Sequence, residues 1–304
     1  MGVSHTYRSL CRDDLKNIRY VNIVPSSEGY ARRSNFIEAV PKKIGWPIYK
    51  LNLEKWVNEK RFIRELSALD AAYIWPEISL SSLEKIKDKV PIVIERINCF
   101  TGKAKKILDE EYKRIGIRPS HKITDEMVRY EQSVIEKADY IFCPSAEVEK
   151  SFIEAGVPAT KILRSSYGWS NERFDLNRIF LNSTNREYDF VFVGRICVRK
   201  GSHLLIKYFA ESGVDKKLLL CGKIEQDVID ICGEYLKSEN IHHIDFYEKH
   251  FRKYIKNSKV FCISLPLEER PNPFSYIPKQ WLPGPYQLLT NAPWGSRDSA
   301  SKGE

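Results

Sequence analysis

The sequence predicts an α/β protein built from parallel β-sheets. Short apolar runs of about five residues alternate with longer amphipathic segments along most of the chain, which is the pattern of βαβ units. The runs VPIVIE, ADYIFCP and YDFVFV are apolar almost throughout, as strands buried on both faces are. Because 304 residues exceed what one hydrophobic core usually serves, two such domains are expected.

Composition limits the class of protein further. The chain is 42% apolar and 29% charged, which is typical of globular proteins. No apolar run approaches the roughly 20 residues that span a bilayer, and the polar residues 1–17 resemble a leader but not a signal peptide. The seven cysteines are widely spaced without a CxxC pair, so thiols in a reducing cytoplasm are expected, rather than zinc ligands or disulfides.

The net charge of +9 predicts either a solvated basic face or an acidic partner. An anionic nucleotide and an anionic membrane surface both fit, and the second would place the protein at the inner face of a membrane. No zinc finger, helix-turn-helix or basic-aromatic RNA-binding pattern is present, so nucleic acid is not expected as a partner.

The first predicted domain spans residues 18–170. It opens with a strand at Ile18–Pro25, a helix at Asn35–Ile44 and a strand at Trp46–Leu51. Gly29, in the loop after the first strand, would let a ligand approach the backbone, although a lone glycine in a loop more often serves a turn. A GxGxxG motif is absent, so dinucleotide binding is not predicted.

Later elements of this domain alternate regularly. The predicted strands are Ala71–Trp75, Val90–Glu95, Ala138–Pro144 and Lys161–Tyr167, and the helices between them are Leu53–Leu69, Ser79–Lys89, Lys103–Ile115, a segment from Thr124 to Lys137, and Glu147–Ala155. Thr124 and Ser145 are placed to cap helices. Arg96 and Asn98 follow a strand end, which favours contact with a ligand. They would equally well satisfy the N-terminus of the next helix.

A polar stretch at 171–187 predicts a linker, and the second domain begins with one βαβ unit, from Tyr188 to Gly222. Gly194, Arg195, Lys200 and Gly201 gather in the turn after its first strand. Ligands of open parallel sheets bind at the carboxyl ends of the strands, and two cations beside a helix N-terminus suit a diphosphate. Its later elements are Asp227–Ser238, Ile241–Tyr247, His250–Asn257 and Lys259–Ser264.

The pattern changes after Glu269. Residues 270–304 are rich in proline and lack a helical period, so the second domain, 188–269, is predicted to be incomplete. The irregular tail has the composition that a shift of reading frame would produce. We therefore interpret it as frame-shifted or non-native, which sequencing of the coding DNA would test.

Six segments in a characteristic order identify a resemblance that covers residues 70–269. They are ILDEEYKRIG, the stretch from Glu131 to Val157, KILRSSYGW, FVGRICVRKG, LLLCG and KNSKVFCISLPLEE. The chain resembles family 4 (group 1) retaining glycosyltransferases, whose GT-B architecture has two Rossmann-like domains, one for the acceptor and one for the nucleotide-sugar donor, facing across a cleft.

The resemblance implies roles for particular residues. Arg195 and Lys200 would bind the donor diphosphate, and Glu268 the donor sugar. Gly222, Lys223 and Tyr247 would lie on the nucleotide side, with Gly194 and Gly201 allowing close approach of the backbone. No Asp-x-Asp motif is present, and many enzymes of this architecture need no metal, so no cofactor is expected.

The chain also departs from the family pattern. Tyr276 stands where a second glutamate would bind the ribose, Glu269 where a glycine is usual, and Phe100 where related enzymes often carry a histidine. We therefore predict transfer of a sugar to a glycan, lipid-linked or small acceptor, at a weak or absent rate. A non-catalytic nucleotide-binding protein of the same fold is the alternative, and a sugar-nucleotide epimerase is a third, less favoured candidate.

Overall fold

The computed structural model describes residues 20–22, 36–165, 186–211, 215–245 and 258–262. The predicted leader, most of the linker and the tail lie outside these ranges. The described part contains helices alternating with strands that pair in parallel, so the predicted α/β class is confirmed. The expectation that two domains face each other across a cleft stays a prediction.

The described residues before 166 form two sheets and six helices. Strands β1 and β2 pair with each other in parallel, and β3, β4, β5 and β6 lie side by side in sequence order. The bounds of these strands are Tyr20–Asn22, Phe36–Glu38, Ala72–Ile74, Ile92–Glu95, Tyr140–Cys143 and Ile162–Arg164. The helices, α1 to α6, span Lys42–Lys50, Glu54–Glu65, Leu80–Lys87, Thr101–Ile115, Asp125–Lys137 and Ala146–Glu154.

The structure corrects the prediction for residues 35–51. A strand, β2, occupies Phe36–Glu38 where a helix was expected, and α1 occupies Lys42–Lys50 where a strand was expected. Pro41 separates the two, because a proline disfavours helical geometry in the residue before it and suits the entrance of a helix. The β-prone Trp46 and Tyr49 stack at 6.0 Å between ring centroids, a contact that helical spacing of three residues brings about.

The predicted helix caps are present. The Ser145 hydroxyl accepts the backbone N–H of Val148 at 3.1 Å, and Thr124 Oγ1 accepts that of Met127 at 3.2 Å. Ser79 caps α3 in the same way. Each cap satisfies one backbone donor that a helix end leaves unpaired. Within the described ranges, none of the helices is both long and apolar enough to cross a membrane.

The second four-stranded sheet has the strand order β10-β7-β8-β9. Its strands span Tyr188–Val193 (β7), Leu218–Cys221 (β8), Ile241–Ile244 (β9) and Ser258–Cys262 (β10), and the helices are Ser202–Glu211 (α7) and Gln226–Cys232 (α8). All three strand pairs are parallel. The chain builds outward from β7 to β9 and then returns to the other side of β7, so the order of strands reverses at β7.

A large apolar cluster packs the helices of this region against the sheet. Phe192 and Leu220 of the strands and Ile206 of α7 are buried in it, together with Leu108 and Tyr112 of α4. The side chains of Leu108 and Tyr112 recur every four residues along α4, so one face of that helix enters the cluster. Strand β8 is buried along its whole length, as expected for a central strand of a parallel sheet.

The chain divides into two compact units. One comprises residues 1–96 and 130–142, and the other comprises residues 97–129 and 143–304. Helix α4 therefore belongs to the same unit as β7 to β10. The predicted boundary at 171–187 lies almost wholly outside the described residues and stays a prediction.

Two glycines allow β7 and β8 to end side by side. A Cβ on Gly222 would lie 2.0 Å from the carbonyl oxygen of Gly194, and the two residues have φ angles of 141° and 150°. Both φ values are ones that side-chain-bearing residues rarely adopt. The close approach lets the Gly194 N–H reach Cys221 O at 2.9 Å, which continues the pairing to the strand ends.

We expect Gly222→Ala to lower the free energy of unfolding by about 3 kcal/mol or more, because overlap with backbone adds to strain at positive φ. Gly156→Ala is the matched control. Gly156 also has a positive φ, of 89°, but nothing lies within 4 Å of a Cβ built there, so this variant should lose only about 1 kcal/mol. Urea denaturation measures both losses, and equal losses would contradict the proposed overlap.

Candidate functional site

The carboxyl end of β7 is the best-placed ligand site in the described part of the second sheet. In open parallel sheets, ligands bind outside the carboxyl ends of the strands where the strand order reverses. Here the reversal falls at β7, between β8 and β10. The residues that follow β7 directly are Gly194 and Arg195, which the sequence predicted as phosphate contacts.

The loops after β7 and β8 continue to pair beyond the strands. The Ile196 N–H donates to Lys223 O at 2.9 Å, and the Glu225 N–H donates to Ile196 O at 2.9 Å. This pairing brings Gly194, Arg195, Gly222 and Lys223 to one edge of the sheet. The structure therefore places four of the predicted donor-site residues together.

Arg195 projects into solvent from this edge. Its side chain is 74% exposed, and its Nε lies 3.2 Å from Oε1 of Glu225. An exposed ion pair of this kind contributes about 0–1 kcal/mol. A doubly charged anion therefore competes readily with Glu225 for the guanidinium group.

Lys200 and Gly201 lie at the entrance to α7. A 3₁₀ turn over Val198–Lys200 ends at Gly201, whose φ of 64° is left-handed, and α7 begins at the next residue. Lys200 is half-buried, and its backbone N–H donates to Cys197 O at 3.1 Å. The turn thus places Lys200 beside the N-terminus of α7, which carries a partial positive charge, and this arrangement favours anions. Burial raises the pKa of the neighbouring Cys197 thiol, which therefore stays uncharged.

His243 adds a polar group that the sequence analysis did not select. It lies in β9, with Nε2 2.8 Å from Gly222 O and 3.5 Å from Oδ1 of Asp245. His243 thus lies near a strand end, beside the single carboxylate of Asp245.

Several predicted site residues lie outside the described ranges. These are Glu268, Tyr247 and Gly29, and their roles stay predictions. Among the described residues, no group of three or more histidine, cysteine or acidic side chains could hold a metal ion. Independence from metal also stays a prediction.

The structure assigns Arg96 a partner within the fold. Its guanidinium pairs with the carboxylate of Glu131 on α5, and the two side chains are only 12% and 3% exposed. The backbone N–H of Arg96 also donates to the backbone oxygen of Phe142 at 3.0 Å. Asn98 is exposed in the turn before α4. Contact of either residue with a ligand stays a prediction.

Glu95 is a titratable residue that the sequence analysis did not select. It is the last residue of β4, the Tyr73 hydroxyl donates to its carboxylate, and burial raises the pKa of that carboxyl group to about 7. A carboxyl group with this pKa can accept or release a proton near neutral pH. Its alternation with Ile94 in an apolar strand gave no sign of such a shift, because the shift arises from residues distant in sequence.

A second missed set joins α4 to the starts of α7 and α8. The His203 Nε2 of α7 lies 2.8 Å from Oε1 of Glu111. Tyr112 donates to the carboxylate of Asp227 in α8, and Ser120 donates to the same carboxylate at 2.8 Å. In the sequence, the run EEY lies within an amphipathic pattern that predicts a helix. That pattern does not show which residues Glu111 and Tyr112 contact.

We expect Glu131→Ala to lower the free energy of unfolding by about 3–5 kcal/mol, because it leaves the Arg96 charge buried without its carboxylate. The double variant Arg96→Met/Glu131→Leu should recover most of that loss. Glu84→Ala, which removes an exposed partner of Lys137, is the control and should change little. Thermal and urea unfolding measure the three variants. If Glu131→Ala were as stable as the control, the pair would have no structural role.

Residues 174–271 match the family model described as glycosyl transferases, group 1. A comparison with curated protein sequences finds no match. Among solved structures, Anabaena Alr3699/HepE in complex with UDP aligns with 12% identity and a TM-score of 0.45, over 75% of this chain and 59% of that one. The lipopolysaccharide outer core galactosyltransferase WaaB, in its apo form, aligns with 14% identity and a TM-score of 0.45, over 75% and 58%.

A UDP-N-acetylglucosamine 2-epimerase from Rickettsia bellii also aligns, with 13% identity and a TM-score of 0.38, over 77% of this chain and 60% of that one. The chain thus spans less than two thirds of the length of these three structures. Such distant likenesses do not select a function. The matched family segment contains the whole of β7 to β10 and the residues predicted to bind the donor. The resemblance inferred from the sequence is therefore confirmed where the family model applies: residues 174–271 are similar to the glycosyl transferases of group 1.

Proposed function

We propose that the chain binds a nucleoside-diphosphate sugar and transfers the sugar, with retention of configuration, to a glycan, a lipid-linked acceptor or a small acceptor. The observation that carries this proposal is the position of Arg195 and Lys200. Arg195 lies just after the carboxyl end of β7, where the strand order reverses, and Lys200 lies just before α7. Both are inside the segment that matches the family.

The chemistry of the reaction explains why cations are needed there. As the bond between the sugar and the diphosphate breaks, negative charge accumulates on the leaving diphosphate. Fixed cations stabilise that charge more strongly than water does, each by about 3 kcal/mol in a site that excludes water. Arg195 offers a planar set of donors and Lys200 a compact charge. The proposal includes Glu268 as the contact of the donor sugar and needs no metal.

The proposal names no general base. A retaining transfer can pass the acceptor proton to the leaving phosphate, so a protein base is not required.

The alternative is a nucleotide-binding protein of the same fold without transfer. The departures at Glu269 and Tyr276 favour it. Two measurements separate the candidates. Titration calorimetry with UDP and GDP detects donor-type binding, and incubation with labelled nucleotide sugars and an acceptor extract detects transfer. Binding without transfer supports the alternative.

Arg195→Ala and Lys200→Ala should each weaken binding of the preferred nucleoside diphosphate by about 10- to 100-fold. A hydrogen bond to a charged group contributes about 1.5–3 kcal/mol, and 1.4 kcal/mol corresponds to a factor of ten. Lys207→Ala removes an exposed cation further along α7 and is the matched control. Titration calorimetry measures the dissociation constants. A loss of the same size in the control would show that only general positive charge matters.

We also propose peripheral contact with an anionic membrane through α1 and α2. Exposed apolar side chains cluster on these two helices and the turn between them, each 44–66% exposed: Ile44, Trp46, Tyr49, Leu51, Leu53 and Trp56. The Lys60 ammonium lies 4.0 Å from the centroid of the Trp56 ring, and that of Lys50 lies 5.4 Å from Trp46. Aromatic rings flanked by lysines suit the interface between lipid headgroups and hydrocarbon.

The double variant Trp46→Ser/Trp56→Ser should reduce co-sedimentation with vesicles containing phosphatidylserine by about tenfold or more. Added salt should reduce it as well, because lysines supply part of the attraction. Tyr208→Ser alters an exposed aromatic residue on α7, 48% exposed, and should have no effect. If the wild-type protein stays in the supernatant, another part of the chain or a protein partner covers this surface, and the membrane proposal is wrong.

A further inference from the structure

Helix α4 reaches the two helices that follow β7 and β8. Its consecutive residues Glu111 and Tyr112 contact different helices. Glu111 pairs with His203, the second residue of α7, and Tyr112 donates to Asp227, the second residue of α8. One rigid helix thus holds the starts of two others.

These contacts are shielded from water. His203 is 3% exposed and Glu111 11% exposed in their side chains, and Asp227 and Tyr112 are buried. The apolar face of α4 lies in the same cluster as Phe192 and Ile206. Apolar packing therefore fixes where α4 lies, and the polar contacts fix which residues of α7 and α8 it meets.

The protonation states support this arrangement. The bond from Arg114 lowers the pKa of Glu111, which is therefore an ionised acceptor. Burial lowers the pKa of His203, so its imidazole is neutral near pH 7, and Nε2–H donates to Glu111. Burial also raises the pKa of Tyr112, which therefore keeps its hydroxyl proton.

The contacted residues adjoin the predicted phosphate site. His203 follows Lys200 by three residues. Asp227 follows Glu225 by two, and Glu225 pairs with Arg195 at 3.2 Å. A shift in the first turn of α7 therefore moves the loop that carries Arg195 and Lys200, and a shift in the first turn of α8 moves Glu225, the partner of Arg195. Hydrogen bonds and packing from α4 oppose such a shift.

We propose that Glu111 and Tyr112 are positioning residues of the donor site, which hold the starts of α7 and α8 so that Lys200 and Arg195 converge on one diphosphate. The proposal rests on the proposed function, because it names what fixes the geometry of that site. Neither residue is itself placed against the nucleotide.

The test compares variants that remove single polar groups with one that weakens the same core. Tyr112→Phe deletes only the hydroxyl, and Glu111→Ala deletes the acceptor of His203. Each should raise the dissociation constant for UDP or GDP about five- to tenfold. Glu111→Gln keeps an oxygen that accepts the His203 Nε2–H and should stay within about twofold of the wild type. Leu108→Ala creates a cavity on the same helix and should lower the melting temperature while leaving the affinity within about twofold.

Two outcomes overturn the inference. If Tyr112→Phe and Glu111→Ala lower the melting temperature but leave the affinity unchanged, the contacts are only structural. If Leu108→Ala weakens binding as much as those two variants do, general destabilisation of the unit explains the loss of affinity.

Hydrogen exchange keeps this inference separate from the proposed function. If the wild-type chain binds neither UDP nor GDP, the proposed function fails. Positioning is then judged by amide exchange. Tyr112→Phe should increase exchange at the start of α7 as well as of α8, although the deleted hydroxyl bonds to Asp227 of α8. An increase confined to α8 would refute the coupling of the two helices through α4.

Discussion

The parallel pairing of β7 with β8 on one side and β10 on the other is the constraint on which the second unit depends. It sets the carboxyl ends of these strands along one edge and makes the strand order reverse at β7. The pairing reaches the very end of β7 because Gly194 and Gly222 bring their backbones together without side chains. The loops that follow then carry Arg195, Lys200 and Lys223 to the same edge. The cations of these loops lie near one another because the strands that precede them end at the same edge of the sheet.

The sequence predicted this region well because its information is local. The βαβ unit predicted from Tyr188 to Gly222 is present as β7, α7 and β8, since apolar runs, turn glycines and a helical period all lie within about ten residues of each element. The opening of the chain was harder. Trp46 and Tyr49 favour strands by propensity, but the position of Pro41 and the contacts between side chains make this stretch a helix.

Contacts between distant segments could not be read from the sequence in the same way. Arg96 was selected because it follows a strand, and the structure shows it paired with Glu131, 35 residues later. Glu95 was not selected, because its raised pKa comes from burial in the folded protein. Helix α4 was assigned by chain order to the first domain, whereas its apolar face packs in the core of β7 to β9. An amphipathic pattern shows that a helix has a buried face but does not show which core receives it.

The exposed pair of Arg195 and Glu225 has a consequence for how the site responds to its ionic surroundings. Glu225 acts as a tethered counter-ion, so the guanidinium group is already partly neutralised before any anion arrives. An anion that displaces Glu225 exchanges one partner of Arg195 for another. It therefore releases fewer mobile ions than it would on binding an arginine without a carboxylate partner. Added salt weakens the contact of Arg195 with Glu225 as well as its contact with the bound anion. The affinity for a phosphate ligand should therefore depend less steeply on ionic strength than the number of basic groups at this edge suggests.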